Sequence, residues 1–174
     1  MKTILATLLL AAAGASAGPK DLPCSYLGKD GVKEQSACLE EQGAALSVKK
    51  QLLARLAFDR GLAAVWSKDT GWMYIDKAGK VLIAGVAAMD NGPDGFHDGL
   101  VRFEQQGRCG YANRRGKAVI APAYDGCLNF INGIARACLR CKNVCAGQDC
   151  EHRTLAGGEW VCLDTTGRRV ACIP

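Results

Sequence analysis

The sequence predicts a mainly β fold of three antiparallel, three-stranded meander repeats behind a short N-terminal helical segment, stapled by disulfides. A pattern of Phe, two variable residues and Gly occurs three times, beginning at Phe58, Phe96 and Phe130. Each copy continues into short apolar runs broken by glycine, which are typical of strands joined by tight turns. A pattern that recurs at a spacing of between thirty and forty residues indicates a repeat architecture. Ten cysteines in 174 residues indicate the disulfides.

Residues 1–17 are predicted to be a secretory signal peptide. Lys2 gives a basic start, Ile4–Ala13 is apolar, and Ala15-Ser16-Ala17 has the small-residue pattern of a cleavage site. The apolar run is too short for a membrane span, which needs about 20 residues. We therefore expect a periplasmic or secreted protein that does not span a membrane.

Composition narrows the class of partner. The formal net charge is +5, and the Lys and Arg residues are scattered among Asp and Glu. A nucleic-acid-binding protein would gather them on one face, so we expect no nucleic-acid partner. In an exported chain, abundant cysteine favours a disulfide framework over metal or redox chemistry.

Residues 18–57 are predicted to precede the repeats. Gly18–Gly43 has mixed charge and low apolar content, which indicates an irregular lead-in. Ser47–Ala57 is predicted to be an amphipathic helix, because Ser47 can cap its start and the apolar residues share one stripe. Those residues are Val48, Leu52, Leu53 and Leu56. We expect this helix to dock on a β core rather than on a membrane surface.

The three predicted units cover residues 58–95, 96–129 and 130–174, and the last is interrupted by a Cys-rich insertion at 140–158. Each unit supplies three strand candidates. These are Leu62–Ser67, Trp72–Asp76 and Lys80–Ala84; Leu100–Gln105, Gly110–Asn113 and Lys117–Ala121; Ile134–Leu139, Glu159–Asp164 and Arg168–Ile173. An Asp or Asn followed three residues later by Gly separates the second and third strands, which predicts a tight turn. The turns are Asp76–Gly79, Asn113–Gly116 and Asp164–Gly167. Whether the units close into a barrel or an arc, or stay flat, is left open.

These motifs resemble the WG-repeat family of bacterial exported proteins. The second unit carries the outline best, including Pro122, Tyr124 and Asp125 after its third strand. The Trp-Gly pair itself is altered: Gly71-Trp72 is reversed, Cys109-Gly110 lacks the Trp, and Trp160-Val161 lacks the Gly. The resemblance implies an all-β repeat scaffold of a surface or envelope protein and brings no catalytic residues.

The recurring aromatic residues have two possible roles. Residues that recur at the repeat spacing are expected to pack between adjacent units. The row Trp72, Tyr111 and Trp160 could instead contact a partner by stacking, and we keep these three as possible partner contacts.

All ten cysteines are candidates for disulfides: Cys24, Cys38, Cys109, Cys127, Cys138, Cys141, Cys145, Cys150, Cys162 and Cys172. Sequence does not fix their pairing. Proximity suggests that Cys24 pairs with Cys38, Cys109 with Cys127, and Cys162 with Cys172.

The segment from Cys138 to His152 allows three interpretations. The first is a disulfide knot that holds a loop poor in apolar residues. It could also supply zinc ligands from Cys138, Cys141, Cys145 and Cys150. A thiol–disulfide oxidoreductase would use Cys138 and Cys141, although the usual βαβ context is missing.

No catalytic constellation stands out, so we expect a non-enzymatic protein without a cofactor or metal. His97 is interpreted as a solvated turn residue. Asp90, Asp94 and Asp98 do not follow a calcium-loop pattern. The predicted function is an exported interaction module that binds an envelope protein or glycan through the loops Ala87–Asp98 and Arg140–Gly158. The alternative is a thiol-active or zinc-binding protein centred on Cys138–His152.

Overall fold

A computed structural model describes residues 18–89, 92–145 and 153–172. Within these ranges the chain is mainly β, which confirms the predicted class. The predicted signal peptide, residues 1–17, lies outside the described residues. Among the residues that are described, no helix has the length and apolar character needed to cross a membrane.

The strands follow one another closely along the chain. They are β1 (Lys20–Gly28), β2 (Gly31–Gln42), β3 (Ala45–Val48), β4 (Ala63–Ser67), β5 (Gly71–Ile75), β6 (Val81–Val86), β7 (Ala88–Met89), β8 (Gly92–Pro93), β9 (Leu100–Gln105), β10 (Arg108–Asn113), β11 (Ala118–Tyr124), β12 (Gly126–Cys127), β13 (Ile134–Leu139), β14 (Lys142–Cys145), β15 (Arg153–Ala156), β16 (Glu159–Asp164) and β17 (Arg169–Val170). A four-residue helix, α1 (Lys50–Leu53), lies between β3 and β4.

All nine predicted strands are present. Three have the predicted bounds, Leu100–Gln105, Ile134–Leu139 and Glu159–Asp164. Most of the others differ by one to three residues at an end; the last is shorter than predicted, since β17 covers only Arg169–Val170. The strand signal was strong because short apolar runs alternated with glycine-containing turns.

Nine strands form one antiparallel sheet in the order β11-β10-β9-β6-β5-β4-β1-β2-β3. This sheet curls, so that β3 returns to the start of β6. There the backbone N–H of Val48 donates to the carbonyl oxygen of Gly79 at 2.8 Å, and Ser47 bridges to Lys80. The curl encloses a core composed of Cys24, Tyr26, Cys38, Leu39, Val48, Leu52, Leu56, Ala63, Val65, Met73 and Ile75.

The prediction of an irregular lead-in over Gly18–Gly43 is wrong. Residues Lys20–Gly28 and Gly31–Gln42 form the β1–β2 hairpin instead. Cys24 and Tyr26 point into the core from β1, and Leu39 does so from β2. Cys24 and Tyr26 face the core at alternate positions, but the apolar neighbours Pro23 and Leu27 hide this period of two in the sequence.

The predicted helix over Ser47–Ala57 is also wrong in extent, because only Lys50–Leu53 is helical. Ser47 lies in β3 opposite Glu40 and does not cap a helix. Pairing of β3 with β2 therefore overrides the local helical preference, which is a weak determinant on its own. The apolar stripe is still buried as expected, since Val48, Leu52 and Leu56 all lie in the core.

A second sheet packs against the β9–β11 end of the first. Its order is β12-β13-β16-β17. The core between the two sheets contains Leu100, Cys109, Tyr111, Ile120, Cys127, Phe130, Ala135, Ala137, Val161 and Leu163. A third cluster is built from β6, β9 and β10 and contains Ile83, Val86, Val101, Phe103 and Ala112. The apolar interior is therefore divided into successive small cores.

The Phe-x-x-Gly segments form three similar tight turns. In each, the residues before and after the turn exchange two backbone hydrogen bonds, as between His97 and Leu100 at 2.8 and 2.9 Å. Both central residues have positive φ, for example 49° at Asp98 and 82° at Gly99. This is the conformation of a type I′ hairpin turn, which favours Asn or Asp followed by Gly.

The Asp/Asn-x-x-Gly turns also form as predicted. The side-chain oxygen Oδ1 of Asp164 accepts the backbone N–H groups of Thr166 and Arg168 at 2.9 and 3.0 Å. Asn113 accepts the N–H groups of Arg115 and Lys117 in the same way. Because an amide oxygen and a carboxylate oxygen do the same work here, Asn and Asp are interchangeable in these turns.

Asp164 should make the free energy of unfolding depend on pH in the acid range. Hydrogen bonds from the Thr166 hydroxyl and from Arg168 hold the pKa of Asp164 well below its usual value. A carboxyl whose pKa is lowered by folding stabilises the protein above its unfolded pKa of about 4, and this contribution is lost as pH falls. We expect Asp164→Asn to flatten the fall of the unfolding midpoint between about pH 6 and pH 2.

The matched variant is Asn113→Asp, which should steepen the same acid dependence because it puts a titrating group into the equivalent turn. Thermal unfolding followed by circular dichroism across this pH range measures both effects. Identical pH profiles for the wild type and both variants would contradict this account of the turns.

Candidate functional site

The tyrosines of the first two copies join each copy to the next. The Tyr74 ring lies 5.2 Å from the Phe96 ring, and its hydroxyl donates to the carbonyl oxygen of Asp94 at 2.9 Å. The Tyr111 ring lies 4.8 Å from the Phe130 ring, and its hydroxyl donates to the carbonyl oxygen of Leu128 at 2.6 Å. In both junctions the accepting carbonyl belongs to the residue two positions before the phenylalanine.

Burial keeps these hydroxyls protonated. Loss of solvent raises the pKa of Tyr111 far above its usual value, and it raises the pKa of Tyr74 as well. A protonated hydroxyl can donate throughout the physiological pH range, so neither junction loses its hydrogen bond by titration.

The three aromatic residues considered as partner contacts lie in different surroundings. Tyr111 is only 1% exposed, so it packs between copies and is not accessible to a partner. Trp72 is half-buried beside Trp66, which faces it from β4. Trp160 is half-buried beneath the guanidinium of Arg136, which lies 5.2 Å from the ring centroid. Trp72 and Trp160 thus keep partial exposure, and Tyr111 does not.

Asp94, from the acidic loop, is buried in an ionic network. It is 1% exposed and accepts hydrogen bonds from Arg102 Nε at 2.8 Å and from Asn129 Nδ2 at 3.2 Å. A buried carboxylate that is paired and hydrogen-bonded in this way is a structural tie. Its oxygens are engaged by Arg102 and Asn129 rather than directed to a cation; Asp90 lies outside the described residues.

Arg102 and Asp98 extend this network to the third copy, where the few residues just before each Phe-x-x-Gly pattern are counted with the copy that they lead into. Arg102 Nη1 donates to the carbonyl oxygen of Cys127 at 3.0 Å, and its Nη2 lies 3.0 Å from the sulfur of Met89. Asp98 Oδ2 accepts the backbone N–H of Gly133 at 2.7 Å. His97 remains partly exposed in the turn, with Nε2 3.9 Å from Asp94 Oδ1. The second half of the Ala87–Asp98 loop is therefore anchored to the scaffold.

The insertion in the third copy forms a second hairpin. Strands β14 and β15 pair from Lys142↔Ala156 to Cys145↔Arg153. At its base Cys138 and Cys141 form a disulfide, and the Cys141 sulfur lies 3.0 Å from the carbonyl oxygen of Gly157. The four residues of β14 are exposed. This hairpin thus stands outside the cores and presents side chains that occur in no other copy.

The structure contains the three disulfides that proximity suggested, which are Cys24–Cys38, Cys109–Cys127 and Cys162–Cys172. Cys145 is disulfide-bonded as well, and no cysteine among the described residues is free. Disulfides on this scale indicate an oxidising, extracytoplasmic compartment.

The zinc interpretation requires thiolates that the described chain does not offer. Cys138, Cys141 and Cys145 are all in disulfides, and a disulfide sulfur is not the thiolate that zinc binds. Cys150 and His152, the remaining candidates, lie outside the described residues. Over ranges 18–89, 92–145 and 153–172, no three His, Cys, Asp or Glu side chains are grouped closely enough to hold a metal ion.

One partly apolar groove lies on the third copy. It has a volume of about 300 Å³ and is lined by Leu128, Asn129, Ile131, Asn132, Ile134, Arg136 and Cys162. We call this surface the copy-3 groove. Ile131 is 72% exposed, more than any other large hydrophobic side chain of the described residues, and Leu128, which lines the same groove, is also exposed.

Comparison with known proteins finds a family match for one stretch of the chain. The family model described as "WG containing repeat" matches residues 110–140, which confirms the resemblance to that family. The match runs from β10 to the end of β13, and so it contains the Tyr111–Phe130 junction. No curated protein and no solved structure matches the chain.

Removal of the Tyr111 hydroxyl should destabilise the protein. In Tyr111→Phe the ring still packs on Phe130, but the hydrogen bond to the carbonyl of Leu128 is lost, which costs roughly 0.5–1.5 kcal/mol. Urea unfolding followed by fluorescence measures the loss. Tyr124→Phe is the control, because Tyr124 lies at the margin of the same core and is only half-buried. Equal stability of the two variants would contradict the role of the junction.

Proposed function

We propose that the protein is an exported, non-catalytic β-repeat module that binds another protein, or a glycan, of the cell envelope. One observation carries this proposal. The side chains that recur in the copies are used in packing between copies, as with Tyr74, Phe96, Tyr111 and Phe130. What the copies do not share is concentrated in the Ala87–Asp98 loop and in the β14–β15 hairpin, which are the natural places for recognition.

The domain organisation forms part of the proposal. We infer that residues 18–57 close one end of the scaffold and that 58–95, 96–129 and 130–174 are three equivalent units. The similar turns and the two Tyr–Phe junctions support this equivalence. On this view the first core belongs to the end unit together with the first copy, because Phe58 packs against it.

The proposal that the protein is exported rests on the predicted signal peptide and is supported by the disulfides. Residues 1–17 would act as the signal peptide and deliver the chain to the periplasm or the exterior. The disulfides are the independent support, since they form and persist in oxidising compartments.

The β14–β15 hairpin is the leading contact surface. Lys142, Asn143 and Val144 are exposed on it, and the Cys138–Cys141 disulfide fixes its base to β13. A hairpin held at its base loses less conformational freedom on binding than a free loop does, so more of the contact energy appears as affinity.

We expect capture of a partner from an envelope extract to depend on this hairpin. The oxidised protein, immobilised, should retain a specific protein or glycan, and replacement of Lys142, Asn143 and Val144 by Ser should lower the yield at least about tenfold. The matched control replaces Val32, Lys33 and Glu34 by Ser, three exposed residues of β2. Recovery of nothing above background by the wild type would contradict the proposed function.

A thiol count separates this function from the rival centred on Cys138–His152. Titration of the unfolded, unreduced protein should give no free thiol, and metal analysis should give no zinc, because the cysteines act as structural cross-links. Two or more titratable thiols, or stoichiometric zinc, would favour a thiol-active or zinc-binding protein instead.

A further inference from the structure

The copy-3 groove has a counterpart on the second copy. Alignment of Phe96-His-Asp-Gly99 with Phe130-Ile-Asn-Gly133 makes Leu128 equivalent to Asp94, and Arg136 equivalent to Arg102. In the same alignment Asn132 corresponds to Asp98; beyond the insertion, alignment of Cys109–Asn113 with Trp160–Asp164 makes Cys162 equivalent to Tyr111. The lining of the groove therefore occupies the positions that, on the second copy, hold the third copy in place.

The segment that docks on the second copy is short and well defined. It is Cys127–Gly133. Arg102 binds the carbonyl of Cys127 at 3.0 Å, and Tyr111 binds the carbonyl of Leu128 at 2.6 Å. Farther along the segment, the Phe130 ring packs on Tyr111, and the Gly133 N–H reaches Asp98 at 2.7 Å. Recognition thus uses backbone carbonyls, one aromatic ring and the amide of a tight turn.

Three of these four positions on the third copy are exposed, namely Leu128, Asn132 and Arg136, whereas Cys162 is buried. Arg102 has a side chain only 15% exposed, whereas its counterpart Arg136 is exposed and stacks on Trp160. Asp94 and His97 are replaced by the apolar residues Leu128 and Ile131. The groove therefore keeps the arginine donor of the internal junction and surrounds it with more apolar surface.

We propose that the copy-3 groove binds a polypeptide segment of a partner protein in which an aromatic residue precedes a tight turn. Arg136 donates to a backbone carbonyl of that segment, and the aromatic ring packs between Leu128, Ile131 and Ile134. The groove continues the series of junctions already built within the chain, and this continuity identifies the occupant. The inference rests on the proposed interaction module and gives the chemistry of its partner.

A second copy of this chain is a poorer occupant. Its own Phe-x-x-Gly segments are engaged internally, since Phe58 packs on the first core, Phe96 on Tyr74 and Phe130 on Tyr111. To donate one of them, the second copy would have to open a core.

A peptide tests the groove directly. The probe is a fluorescein-labelled synthetic peptide with the sequence of residues 126–136 and Cys127→Ser, titrated with the full oxidised protein and followed by anisotropy. We expect saturable binding with a Kd below about 1 mM. The same peptide with Phe130→Ala should bind at least about tenfold more weakly, because the ring supplies the apolar contact.

Two protein variants locate the binding. Ile131→Asp should weaken binding at least about tenfold, and the fold should accept it because Asp59 occupies the equivalent position in the first copy. Arg136→Ala should weaken it by a similar factor through loss of a charged donor. Val32→Asp, at an exposed position of β2, is the control and should leave the affinity unchanged.

Each outcome has one meaning. Absence of saturable binding, or equal binding by all variants, overturns the proposal. Self-association of the wild type that Ile131→Asp abolishes makes a second copy the occupant and also overturns it. If the envelope partner is captured equally by wild type and Ile131→Asp, the groove inference fails while the interaction module stands; if no partner is captured, the proposed function fails whatever the peptide does.

Discussion

The structure depends on a buried tyrosine of one repeat copy that packs against the copy that follows it in the chain. At the Tyr111 junction, one side chain packs on the aromatic ring of Phe130 and also satisfies the carbonyl of Leu128. Tyr111 is buried, and a buried hydroxyl without a partner would cost more than the hydrogen bond gains, so the position is constrained in both shape and chemistry. Successive small cores are joined in this way into one scaffold.

The same constraint explains how the protein can vary without losing its fold. Where the pattern is kept, Phe, Tyr and the turn glycines serve packing and turns. Gly116 illustrates this, since a Cβ there would lie 2.5 Å from the carbonyl oxygen of Leu82 in the preceding copy. Where the pattern is broken, disulfides hold the chain instead. Cys162 occupies the position of the tyrosine and is bonded to Cys172. The Cys138–Cys141 disulfide holds the base of the inserted hairpin.

Sequence reasoning succeeded where residues interact locally and failed where distant pairing decides. The Asp164–Gly167 turn and the strand Ile134–Leu139 could be predicted, because turn chemistry and apolar runs act over a few residues. Ser47 was expected to cap a helix, but it lies in β3 and pairs with Glu40 of β2. The buried ion pair between Asp94 and Arg102 was not predicted. No local sequence motif indicates such a pair, and Asn129, which also donates to Asp94, is distant in sequence. For the copy-3 groove the only sequence signal was Ile131, an apolar residue at a turn position that holds Asp or His elsewhere.

A double-mutant cycle between Tyr111 and Phe130 tests most directly whether recurring aromatic residues hold the copies together. The two single alanine variants and the double variant would be unfolded in urea under conditions where the transition is two-state. We expect the two substitutions to be coupled by about 0.5–1.5 kcal/mol, as for other aromatic pairs in direct contact. Additive losses within about 0.3 kcal/mol would contradict this account, because residues that do not interact across a junction lose stability independently.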